Sequence, residues 1–153
     1  DAIITNGEGY KKLQQGNGLQ YGLGTSLKPL KGLLIRLYAG VNERDDINLS
    51  FFTGYKHEKF SLGGEYNILK DRKQGISLYG DFLISKNIDF YARYDILEEE
   101  NNIINEDKSC IISGLQFQFS NNIKISPNIK ISIPKDKTLN PDYFAFISCY
   151  FAI

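Results

Sequence analysis

The feature that most constrains this chain is an alternation of apolar and polar residues with a period of two, cleanest between Ser109 and Ile133. Ile111, Ser113, Leu115, Phe117 and Phe119 alternate with Ile112, Gly114, Gln116 and Gln118. After Ser120-Asn121-Asn122 the pattern restarts, with Ile123, Ile125, Pro127, Ile129, Ile131 and Ile133 opposite Lys124, Ser126, Asn128, Lys130 and Ser132. Successive side chains of an extended strand point to opposite faces, so each run is a strand with one apolar face and the pair is a hairpin closed by a tight polar turn. Alone, such a hairpin is half of any antiparallel sheet with one face in a core. Pro127 falls mid-strand and removes a ladder donor, which predicts a bulge there.

What narrows the choice is recurrence. The same alternation predicts nine strands, starting near residues 18, 33, 47, 60, 76, 88, 110, 122 and 142, with no helical segment. Residues 1–17 lack a finished element and are expected to be an external loop, with Ala2 to Thr5 as the tail of a preceding strand. The alternative is a tenth strand within residues 1–10 and a small, complete barrel. Fourteen glycines, ten tyrosines and ten phenylalanines suit an all-β chain of one domain over residues 1–153. The absence of methionine leads us to expect that Asp1 is a processed or truncated end.

Several function classes recede on the same reading. Eighteen basic residues against 18 acidic ones leave no overall field toward nucleic acid. No run approaches the roughly 20 apolar residues of a membrane helix, but a membrane β-barrel has a weaker signal per strand and stays open. Cys110 and Cys149 fall on strands that are not sequence neighbours and are expected to be free thiols. The single histidine, His57, sits in a predicted turn, and no triad, metal-ligand or phosphate-loop spacing occurs, so neither an enzymatic role nor a cofactor is expected.

Alternation cannot by itself separate a barrel with its apolar face toward lipid from a soluble, lipocalin-like barrel with that face inside. Three features favour lipid. Short connections (28–31, 57–59, 85–87, 120–122) alternate with longer charged ones (42–46, 70–74, 98–108, 134–141), the asymmetry of outer-membrane barrels. Aromatics on the apolar face sort into two bands: Tyr55, Phe60, Phe82, Phe90, Phe117, Phe119 and Phe151 toward the short turns, Tyr21, Tyr66, Tyr94 and Tyr143 toward the long loops. Such bands match girdles at the two membrane interfaces. The opposite face carries Arg36, Lys56, Glu65, Asp81, Asp89, Arg93, Asp95, Lys124 and Lys130 among glycines, as the lining of a wet lumen would.

The even alternation, the short-turn and long-loop asymmetry, and a last strand ending Tyr150-Phe151-Ala152-Ile153 resemble the C-terminal portion of a bacterial outer-membrane porin-like β-barrel. The stretch from Gly114-Leu115-Gln116-Phe117 to Ser126-Pro127-Asn128 is similar to the penultimate hairpin of such proteins. The family's last residue is usually aromatic, whereas here Phe151 stands two places before Ile153. The resemblance implies an antiparallel up-and-down transmembrane barrel with an even strand number, of which these strands are a part, in the outer membrane. It implies the lipid bilayer and the barrel-insertion machinery as partners and leaves a homo-oligomer open. Both termini would lie on the short-turn side, so at least one strand would precede Asp1. The expected function is a passive channel for small solutes. Alternatives are a non-channel anchor or adhesion barrel, using the acidic Glu98-Glu99-Glu100 and Glu106-Asp107 loop, and a soluble lipid-binding barrel. In a narrow barrel the lumen charges would pair with one another and plug it.

Overall fold

The computed structural model describes residues 1–5, 19–41, 47–70, 73–99, 108–120, 122–136 and 138–151. They form ten strands: β1 (Ala2–Thr5), β2 (Gln20–Leu27), β3 (Leu33–Val41), β4 (Ile47–Lys56), β5 (Phe60–Leu69), β6 (Lys73–Ser85), β7 (Ile88–Glu99), β8 (Lys108–Ser120), β9 (Ile123–Pro134) and β10 (Asp142–Phe151). All belong to one antiparallel sheet whose spatial order is the chain order. This up-and-down meander is the simplest outcome of alternating strands joined by short turns. Each strand pairs only with its chain neighbours, and among the described residues no pairing joins β1 to β10, so the sheet is not closed.

The turn between β2 and β3 depends on Gly32. Its φ of 86° lies in the left-handed region that a Cβ disfavours. Leu33 N–H donates to the Leu30 carbonyl at 3.1 Å, and the Gly32 carbonyl accepts from Lys56 N–H at 2.8 Å, tying the turn to β4. A Cβ on Gly32 would also run into the Lys56 carbonyl oxygen. Gly32→Ala is therefore expected to cost about 1–3 kcal/mol, measured as a lower midpoint in urea unfolding. An unchanged midpoint would show that the turn adapts freely.

Three expectations change. There are ten strands, not nine: Ala2–Thr5 pairs with Gln20–Leu23, and Gly24 N–H extends the ladder to the Asp1 carbonyl at 2.9 Å. Four residues are too few to display a period, which hid this strand. Residues 6–17, the rest of the expected external loop, and Gly18 lie outside the described residues. Second, β6 begins at Lys73, so the 70–74 connection shrinks to 70–72 and is no longer than the 57–59 turn. Lys73 and Gln74 pair with Leu69 and Ile68, but polar residues at a strand end carry no hydrophobic signal. The loop asymmetry is thus weaker than the sequence implied.

Third, Pro127 makes no bulge. Phe117–Ile125 and Gly114–Asn128 share one register, and the shift in this hairpin lies between Gln118 and Ser120, beside the turn. The Pro127 carbonyl faces β8, 2.5 Å from where a Cβ on Gly114 would stand. In an antiparallel strand a residue's N–H and C=O point to the same neighbour, so the missing donor also faces β8. Pairing lapses there, at Leu115 and Gln116, while the β9–β10 ladder runs unbroken.

Direct pairing defines rows across the sheet. One row crosses nine strands: Leu27, Ile35, Thr53, Gly64, Leu78, Tyr94, Ile111, Ile131 and Tyr143. It leaves β10 beside the long-loop end and reaches β2 at the short-turn end. Cross-strand pairs lie perpendicular to the strands, so the strands are staggered progressively in one direction, as tilted strands are.

Burial is inverted relative to a water-soluble sheet. Among the described residues no apolar side chain is buried, and the buried polar ones are Ser126 and Asn128, 8% and 4% exposed. Leu23, Leu78 and Ile147 on the apolar face are 68%, 54% and 69% exposed.

Candidate functional site: the polar face of the sheet

The register puts all nine candidate lumen residues on this face. Arg36, Glu65 and Asp95 share a row with Ser26, Phe52, Ser77, Cys110, Ser132 and Asp142. The adjacent row carries Arg93 and Lys130, and the next carries Lys56 and Asp81. Asp89 pairs with Gln116, and Lys124 with Gln118 and Tyr150. Cys110 lies on this face and Cys149, paired with Ile125, on the other; both are free thiols.

The arginines are held by carboxylates. Arg36 Nη2 lies 2.5 Å from Asp1 Oδ2. Arg93 Nε donates to both Asp95 oxygens at 2.8 Å, and its Nη2 donates to Ser77 Oγ at 3.4 Å. Other carboxylates take neutral donors: Asn67 Nδ2 to Glu65 Oε1 at 2.9 Å, Gln116 Nε2 to Asp89 Oδ2 at 3.3 Å, and the Ser61 hydroxyl to Asp81. Lys56, Lys124 and Lys130 make no ion pair among the described residues. Two hollows on this face differ in charge. Toward the long loops a hollow is lined by Lys73, Arg93, Lys108 and Lys130, with Asp95 as its carboxylate. Toward the short turns a second hollow is lined by Asp81, Asp89, Tyr91, Gln116, Ser126 and Ser148, with no base. Among the described residues no cluster of metal-ligating side chains occurs.

Aromatic rings lie across glycines on this face, contacts that were not recognised from the sequence. Tyr79 on β6 stacks with Phe52 on β4, ring centres 6.4 Å apart, across β5, where Gly63 lies beneath the ring. The Arg93 guanidinium sits 5.9 Å from the Tyr79 ring centre, within cation–π range. Tyr91 on β7 extends over Gly114 of β8. Tyr38 covers Gly22 and Gly40 in the same way. A glycine on the polar face opposite or beside a large aromatic is the signal that could have revealed these contacts.

The expected girdle residues Tyr21, Tyr55, Phe60, Tyr66, Phe82, Phe90, Tyr94, Phe117, Tyr143 and Phe151 lie on the apolar face by register, and Phe119 sits at the bulge. Two of their hydroxyls find polar partners near the long-loop end: Tyr66 donates to Gln74 Oε1 at 3.1 Å and Tyr94 to Ser109 Oγ at 3.4 Å. Of the acidic loop, Glu98 accepts from Gln74 Nε2 at 2.7 Å. Glu100, Glu106, Asp107 and the Glu99 side chain lie outside the described residues, as do Ala152 and Ile153. Past β9 the chain turns at Asp136, whose carboxylate accepts from Thr138 N–H and Oγ1 at 2.9 and 2.7 Å. Those bonds hold its carboxyl below the usual range.

Comparison with known protein families and with curated proteins finds no match to this chain.

Proposed function

We propose that these strands belong to an outer-membrane β-barrel of the porin-like type, with the apolar face against lipid and the polar face around an aqueous path for small hydrophilic solutes. The observation that carries the reading is the inverted burial: exposed Leu, Ile, Phe and Tyr on one face, and sheltered Ser126 and Asn128 on the other. In water such a face would be an aggregation liability, whereas in a bilayer it is the required surface. The progressive stagger supports it, because tilted strands close into barrels. A soluble lipid-binding cup would shelter the apolar face, whereas Leu23, Leu78 and Ile147 on that face are more than half exposed.

A second reading, a plugged anchor barrel, draws on one observation: the Phe52–Tyr79–Arg93–Asp95 chain fills space on the polar face. Barrels of about eight strands have interiors filled by side chains, whereas 16 to 18 strands leave a channel. Two measurements test both readings. Membrane-extracted protein is expected to migrate faster in SDS unboiled than boiled, and a soluble protein with unchanged mobility would refute the barrel. Planar-bilayer recording is expected to show stepwise conductance for a channel. Silence from an inserted, heat-modifiable protein would favour the anchor.

A further inference from the structure

The alternation of connections puts four turns at one end of the sheet, and three of them carry lysine. Lys28 and Lys31 flank Pro29-Leu30 between β2 and β3, Lys59 closes the β4–β5 turn beside Glu58, and Lys86 opens the β6–β7 turn. All four lysines are exposed. The connections at the opposite end mix bases such as Lys70, Arg72 and Lys135 with the acidic Glu98–Glu100 and Glu106–Asp107 runs.

The turns also form a continuous rim, each bonded to the next hairpin. Lys56 N–H donates to the Gly32 carbonyl at 2.8 Å, Leu83 N–H to the Lys59 carbonyl at 2.7 Å, and Gln118 N–H to the Asn87 carbonyl at 2.9 Å. The lysines thus recur with the hairpins, about 10 Å apart. The rim borders the Phe60–Phe82–Phe90 row, where the exposed apolar face ends.

Resting on the barrel reading, we propose that this rim is a docking surface for anionic phospholipid headgroups of the leaflet at the short-turn end. Charge complementarity and continuity with the apolar face select that occupant: a lipid whose chains cover the Phe60 row places its phosphate at the height of Lys59 and Lys86. Each lysine near an anionic surface favours it about fivefold, and salt screens that preference.

The test reconstitutes the 153-residue chain in phosphatidylcholine vesicles and measures, by electron spin resonance, how much spin-labelled phosphatidylglycerol or phosphatidylcholine the protein immobilises. Averaged over both leaflets, phosphatidylglycerol is expected to be favoured by about twofold. The preference should vanish at high salt and in K28Q/K31Q/K59Q/K86Q, and persist in the matching quadruple arginine variant. Equal immobilisation of both labels overturns the headgroup surface but leaves the barrel standing. If neither label is immobilised, the membrane reading fails and this proposal falls with it.

Discussion

Leu78→Arg is expected to lower the stability of the bilayer-inserted protein by about 2–4 kcal/mol, the penalty for a charge near the midplane on a barrel's lipid face. Leu78 lies near the middle of β6 in the nine-strand apolar row and is 54% exposed. In a water-soluble sheet the same substitution at a half-exposed site would fall within about 0.5 kcal/mol. The sign of the environment is therefore readable from one residue. Its neighbour supplies the contrast. Ser77, on the polar face, pairs directly with Glu65 and Asp95; Arg93 already holds Asp95 and reaches the Ser77 hydroxyl, so Ser77→Arg adds a second cation beside Glu65 on the wet face and is expected to cost clearly less than Leu78→Arg. Urea unfolding of both variants in vesicles measures the difference. Equal midpoints would remove the basis for assigning lipid to the apolar face.

Much of the sheet could be read from the sequence because a period of two survives wherever a strand separates two environments. Nine of the ten strands, both faces and the membership of all nine charged residues followed from that single property. What escaped it had too short a run or the wrong kind of residue. Ala2–Thr5 spans four positions, and Lys73–Gln74 extends β6 with polar side chains. Pro127 raised the opposite problem: a residue rule correctly identified the lost donor but not that the loss would interrupt one ladder without changing its register. Charge partnering was beyond the sequence as well. The nine charges look balanced as a set, yet the structure ties Arg93 to Asp95 and leaves Asp81 and Asp89 in a hollow without a base. Arg93 and Asp95 stand two places apart on one strand face, but the base-free hollow depends on the register between strands, which alternation does not give.

The aromatic-over-glycine contacts make the second large effect. Gly114→Ala is expected to destabilise the protein by about 3 kcal/mol, at the upper end for overpacking. A Cβ there would stand 2.5 Å from the Pro127 carbonyl oxygen, 2.6 Å from Asn128 Oδ1 and 2.9 Å from the Tyr91 hydroxyl. A ring can swing away, but a strand carbonyl cannot move without parting β8 from β9. Asn128 has little room to adjust: it is 4% exposed, its Nδ2 is engaged by the Ser126 carbonyl and Ser148 Oγ at 2.6 and 3.0 Å, and its Oδ1 has no partner. Gly75→Ala is the control, because the nearest atom to its Cβ, the Ile96 carbonyl oxygen, is at an ordinary 3.4 Å. That variant should be neutral or gain about 0.5 kcal/mol from a stiffer unfolded chain. The backbone origin of the Gly114 effect has its own check. Adding Tyr91→Ala to Gly114→Ala removes the ring but not the Pro127 carbonyl, so the urea midpoint should stay low. Recovery of the midpoint would mean that the ring was the obstacle and that β8 and β9 have slack.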